Sequence, residues 1–148
     1  MSSDWQDTEY EDRQALSLRQ LEALAEASDL QSHTRNHPIL PSCPSTLASG
    51  EILGSADDLE RLIGARPRGF AYPNGDYSER DIELVRAAGY ECAFTVEPGY
   101  NSADTDHYRL KRVLIADDAG ETELVACASG AYAILARIIR RVLRLQSP

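Results

Sequence analysis

Arg68-Gly69-Phe70-Ala71-Tyr72-Pro73-Asn74-Gly75-Asp76-Tyr77-Ser78 is the stretch that decides the fold. Residues 68–72 read as a strand and 73–76 as a turn, because proline presets φ and Asn-Gly tolerates the left-handed region. Ser78 then caps a helix with Asp81 at its third position, and the helix runs to Ala88 with Gly89 as its stop. Residues 90–96, rich in aromatic and β-branched side chains, form the next strand and end in Glu97-Pro98-Gly99. The same unit precedes it. A short strand over 29–32 leads into a loop over 38–44, kept extended by Pro38, Pro41 and Pro44, and then into a helix over 45–63. That helix is expected to turn Leu47, Ile52, Leu59, Leu62 and Ile63 to the core and to stop at Gly64. Upstream, Ser17 opens a helix with Leu18, Leu21, Leu24 and Ala25 on one face. Downstream, residues 108–115 alternate as a fourth strand, and 121–145 are helical with a break near Ser129-Gly130. Strands alternating with helices predict an α/β fold on a parallel sheet, whose ligands sit at the carboxyl ends of the strands.

Length and composition fit one globular domain: 148 residues, 43% apolar and 26% charged. A net charge of -9 argues against nucleic acid, since neutralising phosphates needs clustered Lys and Arg. Positive charge gathers only near the end, where Arg137, Arg140, Arg141 and Arg144 flank a broad apolar helix face. This basic amphipathic helix is expected to pack on an acidic body, with a membrane surface as the alternative contact. Cys43, Cys92 and Cys127 are widely spaced and odd in number, which suggests free thiols rather than a disulfide framework. The residues after Met1 have neither a basic nor an apolar leader segment, so the expected location of the chain as written is cytoplasmic.

Ser32-His33-Thr34-Arg35-Asn36-His37-Pro38 carries the chemistry. Two histidines four apart, at the carboxyl end of a strand, are placed to bind one divalent metal, but such a site normally takes three protein ligands and water. Cys43 and the acids Asp4, Asp7, Glu9 and Asp12 are candidates for the third; Asp29, four residues before His33, should point away from the rim.

Ser32-His33-Thr34-x-x-His37-Pro38, followed by residues 70–78 and by Ala87-Ala88-Gly89-Tyr90, resembles the polysaccharide deacetylases of carbohydrate esterase family four over residues 17–115. The resemblance implies an incomplete (β/α) barrel that removes acetyl groups from N-acetylated carbohydrate with one divalent metal, zinc the expected ion. It implies that His33 and His37 are metal ligands and that the backbone N-H of Asn74 donates to the oxyanion. It also implies that Tyr72, Pro73 and Tyr77 flank the sugar. The family's Thr-Phe-Asp-Asp run, source of its general base and third ligand, has no counterpart in residues 1–30, so no general base is found. Ala71 stands where the family has arginine, its late Leu-x-His is absent, and His107 lies at the wrong end of a strand. The chain is therefore expected to be the C-terminal part of such a domain: a polar tail (1–16), the truncated domain (17–120) and the basic helix (121–148). The alternative function is a non-catalytic remnant that binds carbohydrate or complements another subunit, and the raw sheet edge is expected to favour self-association.

Overall fold

Three parallel strands, β1 (Gly69–Ala71), β2 (Cys92–Pro98) and β3 (Leu110–Arg112), lie side by side in that order in the computed structural model, which describes residues 15–116 and 118–131. Among the described residues four α-helices accompany them: α1 (Leu18–Ala27), α2 (Ser45–Ile63), α3 (Glu79–Ala87) and α4 (Glu121–Ala128). The α/β fold and the parallel sheet are thus as the sequence pattern implies.

The helix boundaries follow from local chemistry. Ser17 and Gln20 form a reciprocal capping box on α1, and Ser78 and Asp81 form another on α3. Gly64, at φ 74, ends α2 in the left-handed conformation that glycine adopts without strain. After α4, Ser129 is the C-cap and Gly130 takes φ 73, which is the break expected there. The remainder of the arginine-bearing segment and the acidic N-terminus lie outside the described residues. No helix among the described residues is long and apolar enough to cross a membrane.

Both outer strands are shorter than expected. Of residues 29–32 only Ser32 pairs with the sheet: its N-H donates to Gly69 O at 3.1 Å and its carbonyl accepts from Ala71 N at 2.9 Å. One step further back the Gln31 side chain replaces the ladder, its Oε1 accepting from Gly69 N at 2.6 Å. Beyond β2, His107–Arg109 is a 3-10 turn capped by Asp106, and the strand occupies only Leu110–Arg112. Tyr108 anchors that turn, because its hydroxyl donates to Tyr90 O and its carbonyl accepts from the Tyr72 hydroxyl. Alternation in the sequence could not reveal these inward tyrosine bonds. The outer edge of β3 is occupied: the Asn101 carboxamide donates to Lys111 O at 2.9 Å and accepts from Lys111 N at 3.0 Å, mimicking a neighbouring strand.

The core lies between the sheet and the helices α2 and α3, with Phe70, Tyr72 and Tyr90 at its centre. Phe70 meets Tyr72 edge-on at 5.5 Å and Tyr90 at 5.3 Å, pairs worth about 0.5–1.5 kcal/mol each beyond burial. The buried stripe of α2 is Ala48, Glu51, Ile52, Ser55 and Ala56 rather than the leucines; Leu47 is 50% and Leu62 46% exposed. Small side chains let α2 sit close to the sheet. Ser55 then pairs with Ser32 at 2.5 Å, and the Tyr90 hydroxyl donates to Ile52 O at 3.0 Å, so these buried hydroxyls are matched. Leu59 and Leu62 instead line an open cleft of about 490 Å³ beside Gln31, His33 and Thr34. On α1 no residue is buried, and Leu18 is 65% exposed.

Candidate functional site

His33 and His37 stand at the carboxyl end of the Ser32 pairing, exposed on the rim, with ring centroids 4.9 Å apart and planes at 70°. The His33 Nδ1 lies 2.7 Å from Ala71 O. A carbonyl only accepts, so this nitrogen is the donor, and in the neutral imidazole Nε2 is then the nitrogen with the lone pair. That is the arrangement in which a histidine serves as a metal ligand, oriented by the hydrogen bond on its other nitrogen. The donor set fits a divalent ion such as zinc as far as two ligands go. Among the described residues no third His, Cys, Asp or Glu joins them. Cys43 is therefore not the third ligand in this arrangement; its thiol lies 3.5 Å from Ile39 O. Asp29 is exposed and accepts from Gln31 Nε2 at 2.7 Å. Asp4, Asp7, Glu9 and Asp12 lie outside the described residues.

The segment between the histidines is bent sharply. Thr34 has φ 66 and His37 φ 53, uncommon for residues with a Cβ and least favourable for a β-branched one. The Thr34 hydroxyl accepts the His37 N-H at 3.1 Å. From α2, Glu51 Oε2 accepts the N-H groups of Arg35 at 2.9 Å and Asn36 at 2.8 Å, and its Oε1 accepts from Asn36 Nδ2 at 2.6 Å. Burial alone would raise the Glu51 carboxyl; the bonds from the Asn36 side chain, then from both backbone N-H groups, prevail and hold it below its ordinary value. The sequence carried one signal for this residue, an acid set inside the Ala48-Ile52-Ser55 stripe.

The second motif forms the next strand end. Pro73–Gly75 is a 3-10 turn with Asn74 at φ 57, ψ 0. Pro73 has no N-H, while Gly75 N donates to Tyr72 O at 2.9 Å and Asp76 N to Pro73 O at 3.0 Å. The Asn74 N-H makes no hydrogen bond among the described residues, and Asn74 is exposed. The two motifs are joined directly, since the carbonyl that orients His33 belongs to Ala71, three residues before Asn74.

Two residues expected to flank a sugar occupy other positions. Tyr72 and Pro73 are buried in the core, with the Tyr72 hydroxyl donating to Tyr108 O at 3.0 Å. Burial pushes the Tyr72 hydroxyl well above its ordinary value. Tyr77 covers Tyr72, stacked at 4.8 Å, and is itself half-buried. Its hydroxyl donates to Glu97 Oε1 at 3.2 Å, and burial followed by the Glu97 charge raises its pKa. Arg80 was not singled out by the sequence. It donates from α3 to Leu40 O and Cys43 O, both at 2.6 Å, and pairs with the fully buried Asp81, fastening the loop that follows His37. His107 opens the turn into β3, away from the carboxyl-end rim.

The chain belongs to the polysaccharide deacetylase family, whose model matches residues 9–93. It is 29% identical over 125 residues to a poly-beta-1,6-N-acetyl-D-glucosamine N-deacetylase of Staphylococcus epidermidis, an alignment covering 78% of this chain and 43% of that protein. The chain thus spans less than half the length of this curated relative. Among solved structures, a Streptococcus pyogenes deacetylase, PplD, in complex with acetate superposes with a TM-score of 0.71 at 25% identity, covering 76% of this chain and 50% of that one. A polysaccharide deacetylase from Bacillus cereus shares the fold, with a TM-score of 0.68 at 23% identity over 82% of this chain and 39% of that one.

Proposed function

We propose that the chain contributes the histidine pair and the oxyanion turn of a carbohydrate deacetylase, hydrolysing an acetamide of an N-acetylated poly- or oligosaccharide. One observation carries the reading. His33 and His37 lie 4.9 Å apart, and the hydrogen bond that orients His33 comes from the strand leading into the Asn74 turn. His33 and His37 would hold one divalent metal, zinc the expected ion, which when bound supplies Lewis acidity toward the acetyl carbonyl and acidifies water. The exposed Asn74 N-H donates to the oxygen that becomes negative as water adds and the carbon–nitrogen bond weakens; removing one such donor costs about 10²- to 10³-fold in rate. Acetate and the free amine are the products. Tyr77, beside Glu97, offers the rim an aromatic edge for a sugar ring. The three-stranded sheet, whose Ser32 side is left uncovered among the described residues, is read as part of an incomplete barrel.

Titrating the purified chain with zinc, while following acetate release from an N-acetylated oligosaccharide, tests this. One zinc per chain, lost in His33→Ala/His37→Ala, is expected; tight stoichiometric zinc that survives the double change overturns the assignment.

A second reading is a module that binds carbohydrate without cleaving it, or that complements a separate polypeptide. It is favoured by the lack of a third ligand among the described residues and by the cleft of about 490 Å³ left open beside His33. Zinc uptake and turnover that appear only when a peptide bearing the family's Asp-Asp strand is added would select it. The uncovered edge is equally the place where two copies would meet.

A further inference from the structure

The bend between His33 and His37 is unfavourable for its own residues, with Thr34 and His37 both left-handed, and its support comes from another element. Glu51 is only 6% exposed and spends its carboxylate on three donors of this bend: the Arg35 N-H, the Asn36 N-H and the Asn36 carboxamide. Those two N-H groups belong to the peptides immediately after Thr34 and Arg35, so fixing them sets the direction in which the chain leaves His33 and enters His37. A second tie runs alongside. Arg35 lies across Gly54, where any Cβ would collide with its guanidinium, and pairs with Asp58 at 2.5 Å. Gly54 and Asp58 are one turn and two turns beyond Glu51 on α2, so a single rigid helix face holds the bend. The carboxylate is not a third ligand, because both oxygens face backbone and amide donors and no group of three metal-binding side chains forms among the described residues.

We propose that Glu51 is the positioning residue of the histidine pair: it holds the 34–37 bend from α2 so that both imidazoles face one point. The proposal rests on reading His33 and His37 as ligands of one ion. Partners of this kind, one layer outside a metal, typically change affinity by about 10- to 100-fold when removed.

The test compares wild type, Glu51→Ala, Glu51→Gln, Asn36→Ala and Ile52→Ala. It reads the nuclear Overhauser effect between the His33 and His37 rings without metal, amide exchange at Arg35 and Asn36, and affinity for zinc alone. Glu51→Ala is expected to abolish the ring-to-ring effect, to speed both amides and to weaken zinc by about 10- to 100-fold. Glu51→Gln keeps an acceptor for the two backbone N-H groups and can face a reversed Asn36 carboxamide, so it should restore most of each signal. Asn36→Ala, at an exposed position, removes one of the three bonds and should give a smaller loss even if Glu51→Ala does not fold. Ile52→Ala loosens the core next door and should leave ring geometry and zinc affinity as in wild type. The proposal is overturned if Glu51→Ala and Asn36→Ala keep wild-type ring contacts and zinc affinity, or if Ile52→Ala loses them equally. A wild type that shows the ring contact but takes up zinc neither alone nor with a peptide bearing the family's Asp-Asp strand overturns the ligand reading instead, while ring contact and amide exchange still decide the role of Glu51 in the bend.

Discussion

Gly75→Ala perturbs the turn that carries Asn74 without touching either histidine. Gly75 has φ 78, and an added Cβ would lie 2.9 Å from both Cβ and Cγ1 of Val96 and closer still to Cγ2. Neither backbone can easily retreat, because Tyr72 N, three residues back, donates to Phe94 O at 3.1 Å within the parallel ladder. Left-handed backbone costs an ordinary L-residue about 1–2 kcal/mol, and an unaccommodated methyl in a packed contact about 1–3, so the expected loss is about 2–5 kcal/mol. For a chain of this size that is a fall in Tm of about 4–20 °C. Val96 is 54% exposed, so Val96→Ala alone should cost under about 1 kcal/mol. In the double variant the Cγ1 and Cγ2 collisions are gone, leaving the backbone part, about 1–2 kcal/mol, together with the 2.9 Å approach to the Cβ of residue 96. Urea denaturation of all four proteins closes a double-mutant cycle with an expected coupling of at least about 1 kcal/mol. A Gly75→Ala protein within about 0.5 kcal/mol of wild type, or strict additivity with Val96→Ala, refutes the reasoning.

Tyr72→Phe should cost about 1 kcal/mol by leaving Tyr108 O without its donor, and should leave carbohydrate binding unchanged; weaker binding at unchanged stability would contradict the buried placement. Arg80→Met leaves the buried Asp81 carboxylate with only its Ser78 bonds and frees the Leu40 and Cys43 carbonyls, for an expected loss of about 2–3 kcal/mol by urea midpoint. Because the folded Glu51 carboxyl is held below its ordinary value, its stabilisation is present above the unfolded value, near pH 4.3, and is lost as pH falls through the folded one. Stability should therefore drop more steeply from about pH 5 to pH 3 in wild type than in Glu51→Gln, and superimposable acid limbs would count against it.

Much of the fold was legible because its signals are local. Proline, Asn-Gly, the Ser-x-x-Asp cap and Gly64 each act within a few residues, and each ends or starts an element where expected. The histidines could be named from their spacing and the motif around them, but what brings the two rings to 4.9 Å is not local. Contacts across the chain were not legible. Nothing near residue 29 announces that Gln31 will take over a ladder position from Gly69 and shorten the strand to one bridge. Tyr72 resembles a rim aromatic until Tyr108, thirty-six residues away, is seen to draw its hydroxyl inward. On α2 the leucines were the stronger apolar signal, yet close packing against the sheet selected Ala48, Ser55 and Ala56. Glu51 is hidden in sequence because its partners are backbone groups, which have no letter of their own.

The Asn101 carboxamide on Lys111 sets a limit on growth. A sheet exposed on both sides can add copies without end, each new molecule offering the next a fresh border. Here one border is already filled from within the chain. Among the described residues the Ser32 side is the edge left open, since Gln31 and His33 make no backbone hydrogen bonds there. If two copies met there, as proposed above, the pairing would close at a symmetric pair rather than propagate into a fibre. A strand from another polypeptide that took the place first would preclude even the pair, so on that reading occupancy of the border and the association state of the molecule would be two readings of one equilibrium.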